Sequence, residues 1–285
     1  MKKAVVTLTI GTKFEKYFKE LCNLNWRRYC EKHGFDLIII KDNLDNSLRA
    51  TKRSPAWQKL LILSQSWSIK YDVIVWIDAD VLINNNESID ISYVVPIEKV
   101  GAVETYSIPT REIHDISLKR LYCYYDHNKI EYINNLNPHD YYTNRNIKGG
   151  NLNEVVQTGV FVCSPRYHKE IFEHIYYNNE DLKGAEWNYE MPAMSFELLN
   201  AKMVHWISPR FNFCVLDLMA AFYPEILLNK KESNHLLLKK ILNSISKISF
   251  EENRSKCLNN IFDLSIFMHF AGCQELMSKV RVNEY

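Results

Sequence analysis

No apolar run in this chain approaches the length of a membrane-spanning helix, so a helical membrane protein is set aside. An excess of charge of one sign is also missing. With 35 Lys and Arg against 34 Asp and Glu, there is no basic field to hold nucleic acid and no acidic tail. The cysteines Cys22, Cys30, Cys123, Cys163, Cys214, Cys257 and Cys273 are odd in number and form no CxxC pair and no zinc spacing. They read as reduced thiols of a cytoplasmic protein. A signal peptide is not expected either. Met1-Lys2-Lys3 runs straight into Ala4–Ile10, a short stretch that carries two threonines and ends in Gly-Thr-Lys. Internal repeats and low-complexity linkers are absent, so 285 residues read as one domain with ample core.

What the chain does have is an alternation of strand and helix signals. Ala4–Ile10 is a first strand, and Phe14, Phe18, Leu21 and Trp26 mark an amphipathic helix that ends near His33-Gly34, with Gly as its C-cap. Residues 35–40 form a second strand. Ser54-Pro55 opens a helix whose Trp57, Leu60, Leu61 and Leu63 give it a buried side. Val73–Ile77 is a third strand, rich in β-branched and aromatic residues. This order implies an α/β fold with a mostly parallel sheet and right-handed crossovers, flanked by helices.

Residues 106–154 break the rhythm: they are rich in Tyr, Asn and His and weakly periodic. A long polar-aromatic insertion in a compact domain is more often functional than idle. The fold resumes at residue 155 with a strand containing Gly159, whose missing side chain implies close backbone approach. Helices follow Pro165 and Pro192, and a helical tail is expected around 236–248.

Asp78-Ala79-Asp80, directly after the third strand, is the most informative motif. In open α/β sheets ligands bind at this carboxyl edge. Two carboxylates one residue apart offer hard oxygen ligands to a divalent cation and leave positions for a substrate's phosphates. A lone Asp here would read as the start of a turn; the pair favours metal and diphosphate.

At this point the chain resembles a GT-A glycosyltransferase over most of its length. The anchors are Thr7-Leu8-Thr9-Ile10-Gly11, Pro55-Ala56-Trp57-Gln58-Lys59, Asp78-Ala79-Asp80, Gln157-Thr158-Gly159-Val160-Phe161 and His269-Phe270-Ala271-Gly272-Cys273. The last looks like the C-terminal motif of glycosyltransferase family 34, with a looser likeness to the glycogenin-like family 8. Both families are retaining and metal-dependent. The resemblance implies that residues 1–105 are a nucleotide-binding half, 106–154 an insertion, and 155–285 an acceptor-binding half ending in a metal-ligand motif.

It further implies Mn2+, or Mg2+, held by Asp78, Asp80 and His269, with imidazole favouring the softer Mn2+. A histidine in an apolar run is otherwise a core residue. Gly272 would let the backbone approach the diphosphate. Lys59 or Arg53 would face the donor phosphates, a solvated helix lysine being the competing reading for Lys59. Thr7, Thr9 and Gly11 would open the nucleotide pocket, although strand propensity explains the threonines as well. Gln157 and Gly159 would run beneath the donor sugar. Glu190, ahead of Met191-Pro192, would point at donor and acceptor hydroxyls, or else merely cap a helix. The Tyr-rich insertion would offer flat apolar faces to an acceptor, or an oligomer contact.

The expected reaction is transfer from a nucleotide sugar, UDP by resemblance, to a glycan, glycolipid or protein-linked acceptor. A phosphatase of the haloacid-dehalogenase type would use Asp78 as nucleophile, but there the motif sits on the first strand and an acidic pair follows downstream. A silent sugar-nucleotide or glycan-binding module is the non-enzymatic alternative, against which the intact Asp78, Asp80 and His269 argue.

Overall fold

The computed structural model describes residues 1–148, 152–182, 189–228 and 250–282. The chain opens with β1 (Lys3–Leu8), α1 (Thr12–Tyr17), α2 (Asn23–His33) and β2 (Asp36–Ile40). One expected helix is thus two, joined by a π turn over Phe18–Cys22. Gly34 ends α2 at φ 70°, the left-handed cap its position in the sequence implies. The segment after Ser54 is a 3₁₀ helix, Pro55–Ser64, rather than an α-helix. Its residues Trp57 to Leu63 are all buried, so no amphipathic stripe holds it to a 3.6-residue period.

Then come β3 (Val73–Ile77), β4 (Val81–Ile83) and β5 (Val100–Glu104). The insertion holds α3 (Arg111–His127) and α4 (Pro138–Thr143). The second half supplies β6 (Val156–Cys163), α5 (Pro165–Asn178), α6 (Met191–Asn200) and β7 (Val204–Trp206). It closes with β8 (Phe213–Cys214), α7 (Val215–Phe222), α8 (Pro224–Leu228), α9 (Phe250–Leu264) and β9 (Phe267–His269). The helical tail expected at 236–248 lies outside the described residues.

The main sheet has six strands in the order β2-β1-β3-β6-β5-β7. Pairing is parallel for β2-β1, β1-β3 and β5-β7 and antiparallel on both sides of β6. Five strands therefore run one way and β6 alone runs back. That reversal brings the start of β6, with Gln157 and Gly159, beside the end of β3. Strand alternation feeds two cores. Val5, Val75 and Ile77 pack toward α2, α7 and α9, while Ala4, Val6, Ile74 and Trp76 pack toward the 3₁₀ helix, α5 and α6. A strand buried on both faces has to be apolar throughout, as Val73–Ile77 is.

A second sheet, ordered β4-β9-β8, sits at the carboxyl edge of the first. Helix α2 covers the free edge of β4. Asn25 exchanges two hydrogen bonds with the backbone of Ile83 at 2.7 and 2.8 Å, and Trp26 Nε1 donates to Val81 O at 2.8 Å.

The insertion is more ordered than its weak periodicity implies. Tyr106, Tyr122, Tyr141 and Tyr142 form a core of their own with Leu118, Val155 and Met191. Their faces serve internal packing, which corrects the expectation of an open aromatic platform. Helix α3 lies against α7, where Arg120 Nη1 donates to the carbonyls of Ala220 and Ala221 at 2.9 and 2.8 Å. Among the described residues no helix is long and apolar enough to cross a membrane.

Candidate metal centre and active site

Three chain segments meet where β3 ends. The ladder between β3 and β6 continues one residue past the strand, with Asp78 N donating to Gly159 O at 2.8 Å. The chain turns through Ala79 and Asp80 into β4, which pairs with β9 so that Val81 faces His269. Phe270 N then donates to Asp80 O at 2.9 Å, fixing the late histidine beside the second aspartate. His269 Nε2 lies 3.2 Å from Asp80 Oδ1 and 3.9 Å from Asp78 Oδ2. One ligand atom from each of Asp78, Asp80 and His269 falls within 4.8 Å of the other two.

The ring of His269 is seated by its neighbours. Its Nδ1 donates to Asn212 Oδ1 at 2.9 Å, which leaves Nε2 facing the carboxylates. Burial works against protonation of this ring, but Asp80 more than reverses that, and the ring is held well above the usual histidine range. Burial raises Asp80, His269 lowers it, and the net shift is downward. The two shifts together describe an ion pair between Asp80 and His269. Two carboxylate oxygens and one oriented imidazole nitrogen are a donor set that could hold a divalent metal ion.

Lys59 is reached from the 3₁₀ helix and is buried. Its Nζ lies 3.0 Å from Asp78 Oδ1, 2.9 Å from Glu190 Oε1 and 3.3 Å from Thr158 O. Burial would strip its proton, yet the charges of Asp78 and Glu190 prevail and hold it above the ordinary lysine range. Neither a solvated helix lysine nor a free phosphate ligand describes this side chain. It joins a metal-ligand candidate to the buried Glu190. That acid also accepts from Thr158 Oγ1 at 2.8 Å, and although Glu190 occupies the N-cap position of α6 its side chain makes no cap hydrogen bond there. Burial raises the Glu190 carboxyl, and Lys59 only partly offsets this.

Gln157 is occupied differently from the expectation. Its Oε1 accepts from Gly159 N at 2.6 Å and from Asn212 Nδ2 at 3.1 Å. Through Asn212 it stands behind His269. Gly159 explains its own missing side chain: a Cβ there would sit 2.3 Å from His269 Cε1. The backbone approach implied by this glycine is to the histidine.

Arg53 is not part of the cluster. Its guanidinium stacks over Trp57 and Tyr176, donates to Tyr176 O at 2.7 Å and to Asn179 O, and pairs with Glu180. It satisfies carbonyls at the end of α5, a structural use that corrects its placement near phosphates. Because β1 is parallel to β3 with Val6 opposite Trp76, Thr7, Thr9 and Gly11 leave the sheet at the same edge as Asp78. Both threonine side chains are buried, and their hydroxyls have no partner among the described residues. Gly11 at φ 96° and Gly272 at φ 72° occupy backbone conformations that side chains disfavour.

Four residues of the site lie outside the sequence expectations. Trp76 Nε1 donates to Asp78 Oδ1 at 2.7 Å, and Gln274 Nε2 donates to Asp80 Oδ2 at 2.9 Å. Asn212 and Thr158 have been described above. Trp76 and Gln274 adjoin motifs in sequence and were findable on that ground, whereas Asn212 carries no signal.

No protein-family model matches the chain, and no curated protein matches it in sequence. Solved structures do. The bifunctional glycosyltransferase WbbM superposes with a TM-score of 0.51 at 12% identity, covering 95% of this chain and 46% of that one. A glycosyltransferase involved in glycosylation of the major capsid of PBCV-1 covers 96% of this chain and 98% of its own, at 14% identity and a TM-score of 0.46. The galactosyltransferase LgtC, in complex with donor and acceptor sugar analogues, covers 94% and 87% at 11% identity and a TM-score of 0.41. The chain has the GT-A glycosyltransferase fold.

Proposed function

We propose that this protein is a metal-dependent glycosyltransferase that moves a hexosyl group from a UDP-sugar to a hydroxyl of a glycan, glycolipid or protein-linked acceptor, with retention of configuration. The observation that carries the reading is the meeting of Asp78, Asp80 and His269 within 4.8 Å at the ligand-binding edge of a GT-A fold. Asp78 Oδ2, Asp80 Oδ1 and His269 Nε2 would hold Mn2+, or Mg2+ less well. Bound there, the cation supplies Lewis acidity and charge to the departing diphosphate.

The chain's own groups do the rest. Lys59 balances Glu190 and keeps Asp78 turned toward the site. Glu190 orients hydroxyls near the anomeric centre, and Gln157 with Gly159 forms the floor beneath the donor sugar. The nucleotide follows the edge from Thr7 and Thr9 to Gly11. Since both threonine side chains are buried, it is the backbone here that meets the ligand. Gly272 allows the turn after β9 to approach the diphosphate. Front-face attack with the departing phosphate as base needs no protein nucleophile, consistent with the prior engagement of Gln157 and Glu190. The seven cysteines are free, six of them buried, which supports a reducing compartment such as the cytoplasm.

The deciding experiment screens nucleotide sugars for hydrolysis with Mn2+ and with EDTA. One UDP-sugar should turn over with Mn2+ only, and Asp80→Ala should lower that rate on the order of 100-fold or more. Full turnover by Asp80→Ala in EDTA sinks the reading.

A further inference from the structure

Asp217 takes no part in the mechanism above, yet the fold sets it beside the same centre. The register of β8 and β9 places Cys214 opposite His269, and Gln157 Nε2 donates to Cys214 Sγ at 3.5 Å. Cys214 is also the N-cap of α7 and Asp217 its third residue, so the Asp217 carboxylate meets the Cys214 thiol. Helix α3 closes one side: Ser117 Oγ donates to Asp217 O, and Asp217 interacts electrostatically with His114 and Tyr125. The turn after β9 closes another, since a Cβ built on Gly272 would touch Leu216 at 3.9 Å. Asp217 itself is only partly buried. No Lys, Arg or backbone amide among the described residues pairs with its carboxylate.

We infer that Asp217 binds the acceptor, taking hydrogen bonds from two adjacent hydroxyls of a neutral sugar unit. An ionised carboxylate only accepts hydrogen bonds, and its two oxygens match a pair of neighbouring hydroxyl donors. A lone serine or threonine hydroxyl would use one of them. Charge excludes the acidic sugars. The edge already carries Asp78, Asp80 and Glu190, against which stand Lys59 and His269. A divalent cation and the diphosphate of a sugar nucleotide carry equal and opposite charge and leave that excess in place. A carboxylate on the acceptor would meet like charge, and like charges set against each other suppress a wrong partner.

The test measures transfer relative to hydrolysis for the UDP-sugar that turns over with Mn2+. The acceptors are the methyl glycosides of glucose, galactose and mannose, each beside the methyl glycoside of its uronic acid. The wild type should use at least one neutral glycoside and prefer it to its uronic acid about tenfold or more. Asp217→Asn should lower transfer to that glycoside about 10- to 100-fold relative to hydrolysis and shrink the preference. Asp217→Glu keeps the charge, so it should keep the preference and recover part of the transfer. Melting temperature checks that each variant is folded, and Asp217→Ser takes the place of Asp217→Asn if the latter is not.

This inference rests on the glycosyltransferase reading, and the assay separates the two. Wild-type protein that turns over a UDP-sugar yet uses no neutral glycoside, or prefers the uronic acid, overturns the role of Asp217 alone. So does Asp217→Asn with transfer within twofold of wild type, or with transfer lost and the preference unchanged, which is a structural effect. Failure of every UDP-sugar to turn over overturns the glycosyltransferase reading and this inference with it.

Discussion

The imidazole of His269 fills the space that a side chain on Gly159 would need. A Cβ built on Gly159 would lie 2.3 Å from His269 Cε1 and 2.6 Å from Nδ1, well inside contact distance. His269 sits on a fully buried strand and cannot move its backbone away. Gly159→Ala should therefore keep the extended backbone of β6, which any residue can adopt, yet push the ring off its position. Mn2+ affinity should drop about tenfold or more, alongside an overpacking cost of about 1–3 kcal/mol in stability. Wild-type Mn2+ affinity in Gly159→Ala would show that the ring does not serve the metal.

Lys59 stands between Asp78 and Glu190, and the acids are not equivalent. The side chain of Glu190 is 2% exposed and that of Asp78 is 28% exposed. Lys59→Met thus leaves one carboxylate with a route to solvent and one without. Breaking a buried pair this way costs about 3–5 kcal/mol. Adding Glu190→Gln removes the stranded charge and should restore roughly 1 kcal/mol or more. Urea unfolding of both single variants and the double variant closes the cycle. Strict additivity would mean that Lys59 and Glu190 do not interact.

Much of this site is readable in the sequence because its strongest elements are local. Five apolar residues followed by Asp-x-Asp describe a doubly buried strand and its carboxylate-bearing exit. Gly159 marks a close approach of backbone to a neighbour, which is His269. The rest depends on contacts between segments far apart in the chain. Arg53 has the same local setting as a phosphate ligand, and only the packing of α5 beside it, bringing the carbonyls of Tyr176 and Asn179 within reach, assigns it a structural task. Asn212 reads as an ordinary loop amide until β8 and β9 pair and set it behind His269. Helix α3 escapes a search for apolar periodicity because its buried stripe is His114, Ser117, Leu118, Leu121 and Tyr122. The spacing is helical, but His114 and Ser117 in the stripe are polar, and polar residues hide an amphipathic face. Tertiary packing likewise turns the tyrosines from a surface into a core.

Glu190 separates the two stereochemical outcomes. Its Oε1 already accepts from Lys59 at 2.9 Å and from Thr158 Oγ1 at 2.8 Å. A carboxylate so engaged is suited to holding a fixed orientation, and less suited to swinging onto an acceptor proton. In a retaining enzyme the side chain only orients hydroxyls, and Gln can still accept from Lys59 and Thr158 through its carbonyl. Glu190→Gln should then keep a measurable part of the rate, and a UDP-α-sugar should give an α-linked product, read from the anomeric proton coupling in NMR. An inverting enzyme needs a base that takes the acceptor proton from the far side of the ring. Losing that base costs on the order of 100-fold or more. A β-linked product together with an inactive Glu190→Gln would overturn retention and make Glu190 the base. It would leave Asp78, Asp80 and His269 as the metal ligands, because the metal assists departure of the diphosphate in either geometry.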